Sequence, residues 1–169
     1  LPRPSFSVTS SLLHHGIIYF PLPLTSSPNN YHILSIISYF SENFNLDKQI
    51  MENFKIRKAE KKDTKLILDF IKALAEYEKL SHEVEATEKK LEQYLFGENP
   101  VAEVIIAYHK DEPVGFALYF HNFSTFLARP GIYLEDLYVQ EEFRGRGFGK
   151  ALLSHLAQIA VDRNCGRME

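Results

Sequence analysis

Seven consecutive residues, Arg144 to Lys150, read Arg-Gly-Arg-Gly-Phe-Gly-Lys. The apolar, strand-like run GIYLEDLYVQ precedes them and the helical pattern GKALLSHLAQIAVDRN follows. A glycine-rich turn from a strand into a helix is suited to an anion. Amides in the first helical turn have no acceptor within the helix, and the helix dipole adds partial positive charge. Glycines let a phosphate approach the backbone and permit positive φ. The spacing excludes two nucleotide-binding loops. A Walker loop needs Ser or Thr after its lysine, and Ala151 follows Lys150. A dinucleotide fingerprint needs Gly-x-Gly-x-x-Gly, whereas Gly145, Gly147 and Gly149 give Gly-x-Gly-x-Gly.

The elements that must position this loop lie in the second part of the chain. NFKIRKA alternates as a strand. KKDTKLILDFIKALAEYEKL is an amphipathic helix with Asp63 as its expected N-cap and Ile67, Phe70, Ile71 and Leu74 on one face. ATEKKLEQYLFGENP is a shorter helix, with Thr87 as cap and Gly97 and Pro100 as stop signals. VAEVIIAYHKDEPVGFALYFHNF gives two strands around a turn at Lys110–Pro113, and GIYLEDLYVQ gives the next. In the last helix Leu152, Leu153, Leu156, Ile159 and Ala160 face inward, and Gly166 is expected to supply a left-handed C-cap. The order β-α-α-β-β-β-α predicts a mixed α/β domain.

Residues 1–50 read differently from residues 51–169. They carry only Arg3, Glu42, Asp47 and Lys48 as charged residues, and hold no period for long. We expect them to be an extension outside the domain, unordered or translated upstream sequence, with Met51 opening the domain. Neither a secretory signal nor a transit peptide fits well. His14 and His15 lack the helical spacing of a ligand pair.

Totals narrow the function. A net charge of −3 argues against nucleic-acid binding by bulk electrostatics, so the cations near Arg144 form a local feature suited to a small anion. Cys165 is the single cysteine, which excludes an internal disulfide and fits a reducing, cytoplasmic setting. No apolar run is long enough for a transmembrane helix, so no membrane partner is expected.

Arg144-Gly145-Arg146-Gly147-Phe148-Gly149 fits the pattern Arg/Gln-x-x-Gly-x-Gly/Ala. The segment resembles the pyrophosphate loop of the GNAT acyl-CoA N-acyltransferase superfamily. IKALAEYEKL, PVGFALYFHNFSTF and YLEDLYVQEEFRGRGFGKALL are similar to the diamine (spermidine/spermine) and thialysine acetyltransferase branch. The resemblance covers residues 52–169. It implies an acyl-CoA N-acyltransferase fold, incomplete at its C-terminal end. It also implies acetyl-CoA as co-substrate, no metal, and a small-molecule primary amine as acceptor. Homodimerisation is common in the family.

Site residues follow from the same resemblance. Backbone groups of Leu137, Tyr138 and Val139 would pair with the pantetheine arm. The amides of Gly145 to Lys150 would hold the pyrophosphate, with Arg144, Arg146 and Lys150 adding charge. Glu135 would be the base that takes the amine proton through water. An alkylammonium has a pKa of ~10.4, so it must lose a proton before it can attack. Asp136, adjacent in a strand, is expected on the opposite face. Tyr77 and Glu78 would line the amine site. Thr125 stands where the polyamine branch has an acidic contact, so HNFSTF looks more like the thialysine relatives. The family tyrosine that protonates the leaving sulfur would follow the next strand. Residues 1–169 end before it, so this stretch by itself is expected to turn over weakly. A CoA-binding regulatory module and a peptide N-terminal acetyltransferase are the alternatives.

Overall fold

The computed structural model describes residues 53–169. The expectations for residues 1–50, His14, His15 and Met51 lie outside them. Strand β1 (Phe54–Lys58) leads through a short 3-10 turn into helix α1 (Thr64–Tyr77), and α2 (Glu88–Phe96) follows. Three long strands come next: β2 (Glu103–His109), β3 (Glu112–Ser124) and β4 (Arg129–Val139). Helix α3 (Phe148–Asp162) and strand β5 (Arg167–Met168) complete the order. The strands form one sheet in the order β1-β2-β3-β4-β5. Pairing is antiparallel through β4 and parallel between β4 and β5.

Period-two alternation in the strands builds a core on each face. Val104, Ile106, Phe116 and Tyr138 pack beneath Ile67 and Phe70 of α1 and Leu95 of α2. Ile105, Ala107, Ala117, Tyr119 and Ile132 pack beneath Phe148, Leu152, Leu156 and Ala160 of α3. The rings of Phe70 and Phe116 stack at 5.4 Å between centroids, which fixes α1 over the middle of the sheet.

Several local expectations are met and others are corrected. Thr87 caps α2, its Oγ1 accepting from the Lys90 amide at 3.2 Å. Asp63 precedes α1 but makes no side-chain cap to it. Instead it accepts two bonds from Arg57, at 2.7 and 2.8 Å, and one from the Glu60 amide at 2.7 Å. Asp63 thus ties β1 to the start of α1. At the end of α3 the left-handed residue is Asn164, with φ 54°, not Gly166. Asn tolerates that conformation, and it leaves Gly166 to donate to the Pro130 carbonyl at 2.8 Å. The strand after α3 also begins within the chain. Arg167 and Met168 lie beside Gly131 and Ile132, and the Glu169 amide donates to the Ile132 carbonyl at 2.9 Å.

Candidate active site

The site forms where the end of β4, the glycine loop and the end of α1 meet. Its geometry starts with a break in β4. Ile132 and Leu134 pack against the core beneath α3, and so do Leu137 and Val139. The step from Leu134 to Leu137 is odd, which strict alternation forbids. The pairing explains it: Tyr119 lies opposite Leu134, and its neighbour Leu118 lies opposite Asp136. Glu135 is the extra residue of a β-bulge. Both Glu135 and Asp136 therefore project to the α1 side of the sheet. The expectation that Asp136 turns away from Glu135 is corrected, because the bulge resets the period between them.

The two carboxylates sit in different surroundings on that face. Glu135 is exposed and Asp136 is half-buried. Burial pushes Asp136 up to about 6, and the negative charges of Glu135 and Glu78 add to the rise. Glu78 is the C-cap of α1, its amide donating to the Leu74 carbonyl at 2.9 Å. The charges that act on Asp136 thus come from two elements, the bulge itself and the end of α1. Pattern reading missed Asp136; the odd spacing of Leu134 and Leu137 around the acidic pair is the signal that could have found it.

Past the bulge the backbone also changes direction. The Gln140 amide donates to the Val114 carbonyl at 2.9 Å, so Tyr138 and Asp136 face β3 in alternation. The backbone groups of Leu137 and Val139 face the other way, toward the β5 side. Among the described residues, β5 pairing stops at Leu134, whose amide donates to the Glu169 carbonyl at 2.8 Å. Tyr138 turns its ring into the core beneath α1.

The glycine loop has the backbone its composition predicts. Gly145 and Gly147 take φ +75° and +83°, and a Cβ at either would meet nothing within 4 Å. Gly147 is the N-cap of α3 and has no side-chain cap. The first helical bond runs from the Ala151 amide to the Gly147 carbonyl at 2.9 Å, so the amides of Phe148, Gly149 and Lys150 precede it. Beneath the loop the ring of Phe148 stacks on Phe54 at 4.8 Å and lies 5.4 Å from His109. This packing seats the first turn of α3 on β1 and β2. Open space over positive-φ glycines, a helix N-terminus without a side-chain cap and two arginines fit a diphosphate well.

The two arginines behave differently. Arg146 donates to the Glu142 carbonyl at 3.0 Å and lies over the Phe143 ring at 5.2 Å. Arg144 turns back toward β4: its Nε donates to the Val139 carbonyl at 2.9 Å. Its guanidinium sits 4.2 Å from the Tyr77 ring centroid and 5.6 Å from that of Tyr138. Tyr77 is 63% exposed at the end of α1. Tyr77, Glu78, Glu135 and the loop are therefore brought to one end of the sheet. Cys165 lies elsewhere, at 1% exposure, and burial pushes its thiol up, so it is no nucleophile. Among the described residues no group of three or more His, Cys, Asp or Glu is placed to hold a metal ion. None of the described helices is long and apolar enough to cross a membrane.

The carboxylate-bearing bulge and the open start of α3 thus lie at the same end of the sheet. Comparison with known proteins supplies the family. The model of the acetyltransferase (GNAT) family matches residues 67–169, and the chain belongs to that family. It is thus an acyl-CoA-dependent N-acetyltransferase by class. Thialysine N-epsilon-acetyltransferase of Sus scrofa is 42% identical over 127 residues, covering 69% of this chain and 73% of that one. The spermidine/spermine N(1)-acetyltransferase-like protein 1 of Homo sapiens is 36% identical over 125 residues, covering 70% of this chain and 18% of that one. Among solved structures, an integron cassette protein from the mobile metagenome of V. cholerae aligns with a TM-score of 0.56 and 31% identity, covering 69% of this chain and 74% of that one. An aminoglycoside acetyltransferase from an uncultured soil sample aligns with a TM-score of 0.63 at 17% identity, covering 72% and 78%, and shares the fold.

Proposed function

We propose that the protein moves the acetyl group of acetyl-CoA to a primary amine of a small diamine or thialysine-like molecule. The observation that carries this reading is the bulge that turns Glu135 and Asp136 to one face of β4, with Glu78 near enough for its charge to act on Asp136. A carboxylate group of that kind attracts an alkylammonium and then accepts its proton. The names of the relatives at 42% and 36% identity support the same class of acceptor.

The residues take the following parts. The amides of Gly145 to Lys150, with Arg144, Arg146 and Lys150, hold the diphosphate. The outward backbone groups of Leu137 and Val139 pair with the pantetheine arm, while Tyr138 supports that edge from the core. Tyr77 and Glu78 line the amine pocket. Glu135, exposed on the bulge, takes the amine proton through water. Asp136, at about 6, stands behind it as a second acceptor whose affinity for a proton suits neutral pH. Acetyl-CoA supplies an activated thioester carbonyl. The freed amine forms the new C–N bond as the C–S bond breaks, and the nitrogen then gives up its second proton to solvent. The outward Val139 amide is placed to stabilise the oxyanion. The departing thiolate regains a proton from solvent or from the acid that Glu135 has become.

A thiol-release assay with acetyl-CoA tests this. The acceptors are a short diamine, thialysine, lysine, spermidine and an unblocked peptide. Transfer to the diamine or thialysine, with little to the peptide, is the expected result. CoA binding with no transfer to any small amine would instead establish a binding module. Preference for the peptide would establish a peptide acetyltransferase.

A further inference from the structure

Arg144 begins the glycine loop, yet its side chain is committed to the amine side of the site. Its Nε occupies the Val139 carbonyl at 2.9 Å, on the edge of β4 that faces away from β3. Its guanidinium covers one face of the Tyr77 ring at 4.2 Å. Tyr77 is the last residue of α1, and the next residue, Glu78, is coupled to Asp136. One side chain therefore joins the loop, the β4 edge and the helix end that carries amine-site residues.

We propose that Arg144 is a positioning residue that couples the two substrate sites. With no acyl-CoA bound it clamps Tyr77 and the Val139 carbonyl. A bound diphosphate draws it away and so releases both. This inference rests on the reading of the glycine loop as the diphosphate site. The chemistry favours exchange. A guanidinium gains more from a phosphate oxygen than from a neutral carbonyl and an exposed ring. Both of its present partners are also groups the reaction needs: the carbonyl lies on the pantetheine edge, and Tyr77 lies at the amine pocket. Breaking the clamp is a cost charged against CoA affinity, since a binding-competent state only partly populated weakens apparent affinity.

That cost gives a signature opposite to a simple contact. Removing the Tyr77 ring should tighten CoA, whereas losing a ring that merely contacted CoA would weaken it. Titration calorimetry of CoA with the full chain, without turnover, tests it in five proteins: wild type, Tyr77→Leu, Tyr77→Phe, Arg144→Gln and the Tyr77→Leu/Arg144→Gln double variant. Tyr77→Leu is expected to tighten CoA about two- to five-fold, the span of an exposed cation–π contact. Tyr77→Phe keeps the ring and should match wild type. Arg144→Gln should weaken CoA, and adding Tyr77→Leu to it should change nothing further. Unchanged or weaker CoA binding in Tyr77→Leu overturns the coupling. So does equal tightening in the Arg144→Gln background, or a Tyr77→Phe that behaves like Tyr77→Leu. If wild type itself does not bind CoA, the loop reading fails and takes the coupling with it. CoA binding by wild type with no response to Tyr77→Leu sinks the coupling alone.

Discussion

Glu103 at the start of β2 and Asp136 near the end of β4 are partly buried carboxylates of one sheet, and the protein treats them in opposite ways. Glu103 accepts from Lys58 at 2.6 Å and from Arg163 Nη2 at 3.0 Å, with Arg163 Nη1 close to its other oxygen. These cations hold it down to about 2. Asp136 is half-buried with Glu135 and Glu78 for electrostatic neighbours, and is pushed up to about 6. The first arrangement fastens β2 to the residue that caps α3. The second stores unfavourable energy where the proposed reaction would accept a proton. A perturbed carboxylate is thus informative chiefly through the sign of its neighbours.

The largest effect should separate these two regions by activity. Glu135→Gln removes the proposed proton acceptor and is expected to lower kcat/KM by about 10²- to 10⁴-fold, the usual span for a general base. Glu103→Gln should leave kcat/KM within about two-fold, because it lies in the α3 network and not at the bulge. Steady-state kinetics with the best amine decide the matter. A Glu135→Gln enzyme within about ten-fold of wild type would pass the proton-accepting role to Asp136.

Asp136 itself should show the stored energy. Its folded-state value of about 6 lies above the ordinary 3.8, so the folded protein holds this proton more tightly than the unfolded chain. The Asp136 contribution to stability should therefore fall as pH rises from about 4 to about 6 and then level off. Asp136→Asn keeps the shape and removes the charge. Its gain at pH 7.5 should reach up to about 3 kcal/mol, and should fade below about pH 4. Urea unfolding at a series of pH values measures both limbs. Equal stability of the two proteins at pH 7.5 would mean that solvent or a cation relieves Asp136 in solution.

The contrast also marks what the sequence makes legible. The loop is readable because its glycines are consecutive with the strand and helix that frame it: Gly145 and Gly147 do take positive φ. The amphipathic faces of α1 and α3 are readable because helical period is local. The bulge is only half readable: Leu134–Glu135–Asp136–Leu137 breaks the alternation, but which residue is extra depends on how β4 registers against β3. For the same reason the facing of Asp136 came out inverted. The bond between Arg163 and Glu103 spans 60 residues and was beyond any local pattern. The end of α3 shows a milder form of the problem: Gly166 and Asn164 are both fit for a left-handed cap, and docking of Gly166 on Pro130 decides between them.

The smallest of the expected effects bears on the structural half of the comparison. Glu103 has its folded value below the ordinary 4.5, so its contribution to stability is present above about pH 4.5 and is lost as pH falls toward about 2. The displacement alone would correspond to ~3 kcal/mol. Part of the group remains in contact with water, and solvent screening reduces this to about 1–2 kcal/mol for Glu103→Gln at neutral pH. The glutamine still accepts hydrogen bonds, so the loss is that of charge and not of shape. Arg163 keeps a second partner, its Nη1 lying 2.9 Å from His121 Nε2. That contact requires His121 Nε2 to accept, which leaves Nδ1 to donate to the Gly131 carbonyl at 3.0 Å. The α3 end is therefore held by a chain of bonds reaching β4, and should loosen in Glu103→Gln without detaching. Hydrogen exchange should rise at the Arg163, Asn164 and Cys165 amides and stay unchanged at the first turn of α3. If exchange rose equally at Ala151, which closes the first helical bond beside the glycine loop, the two ends of the helix would be one cooperative unit, and the separation between fastening and chemistry drawn from Glu103 and Asp136 would fail.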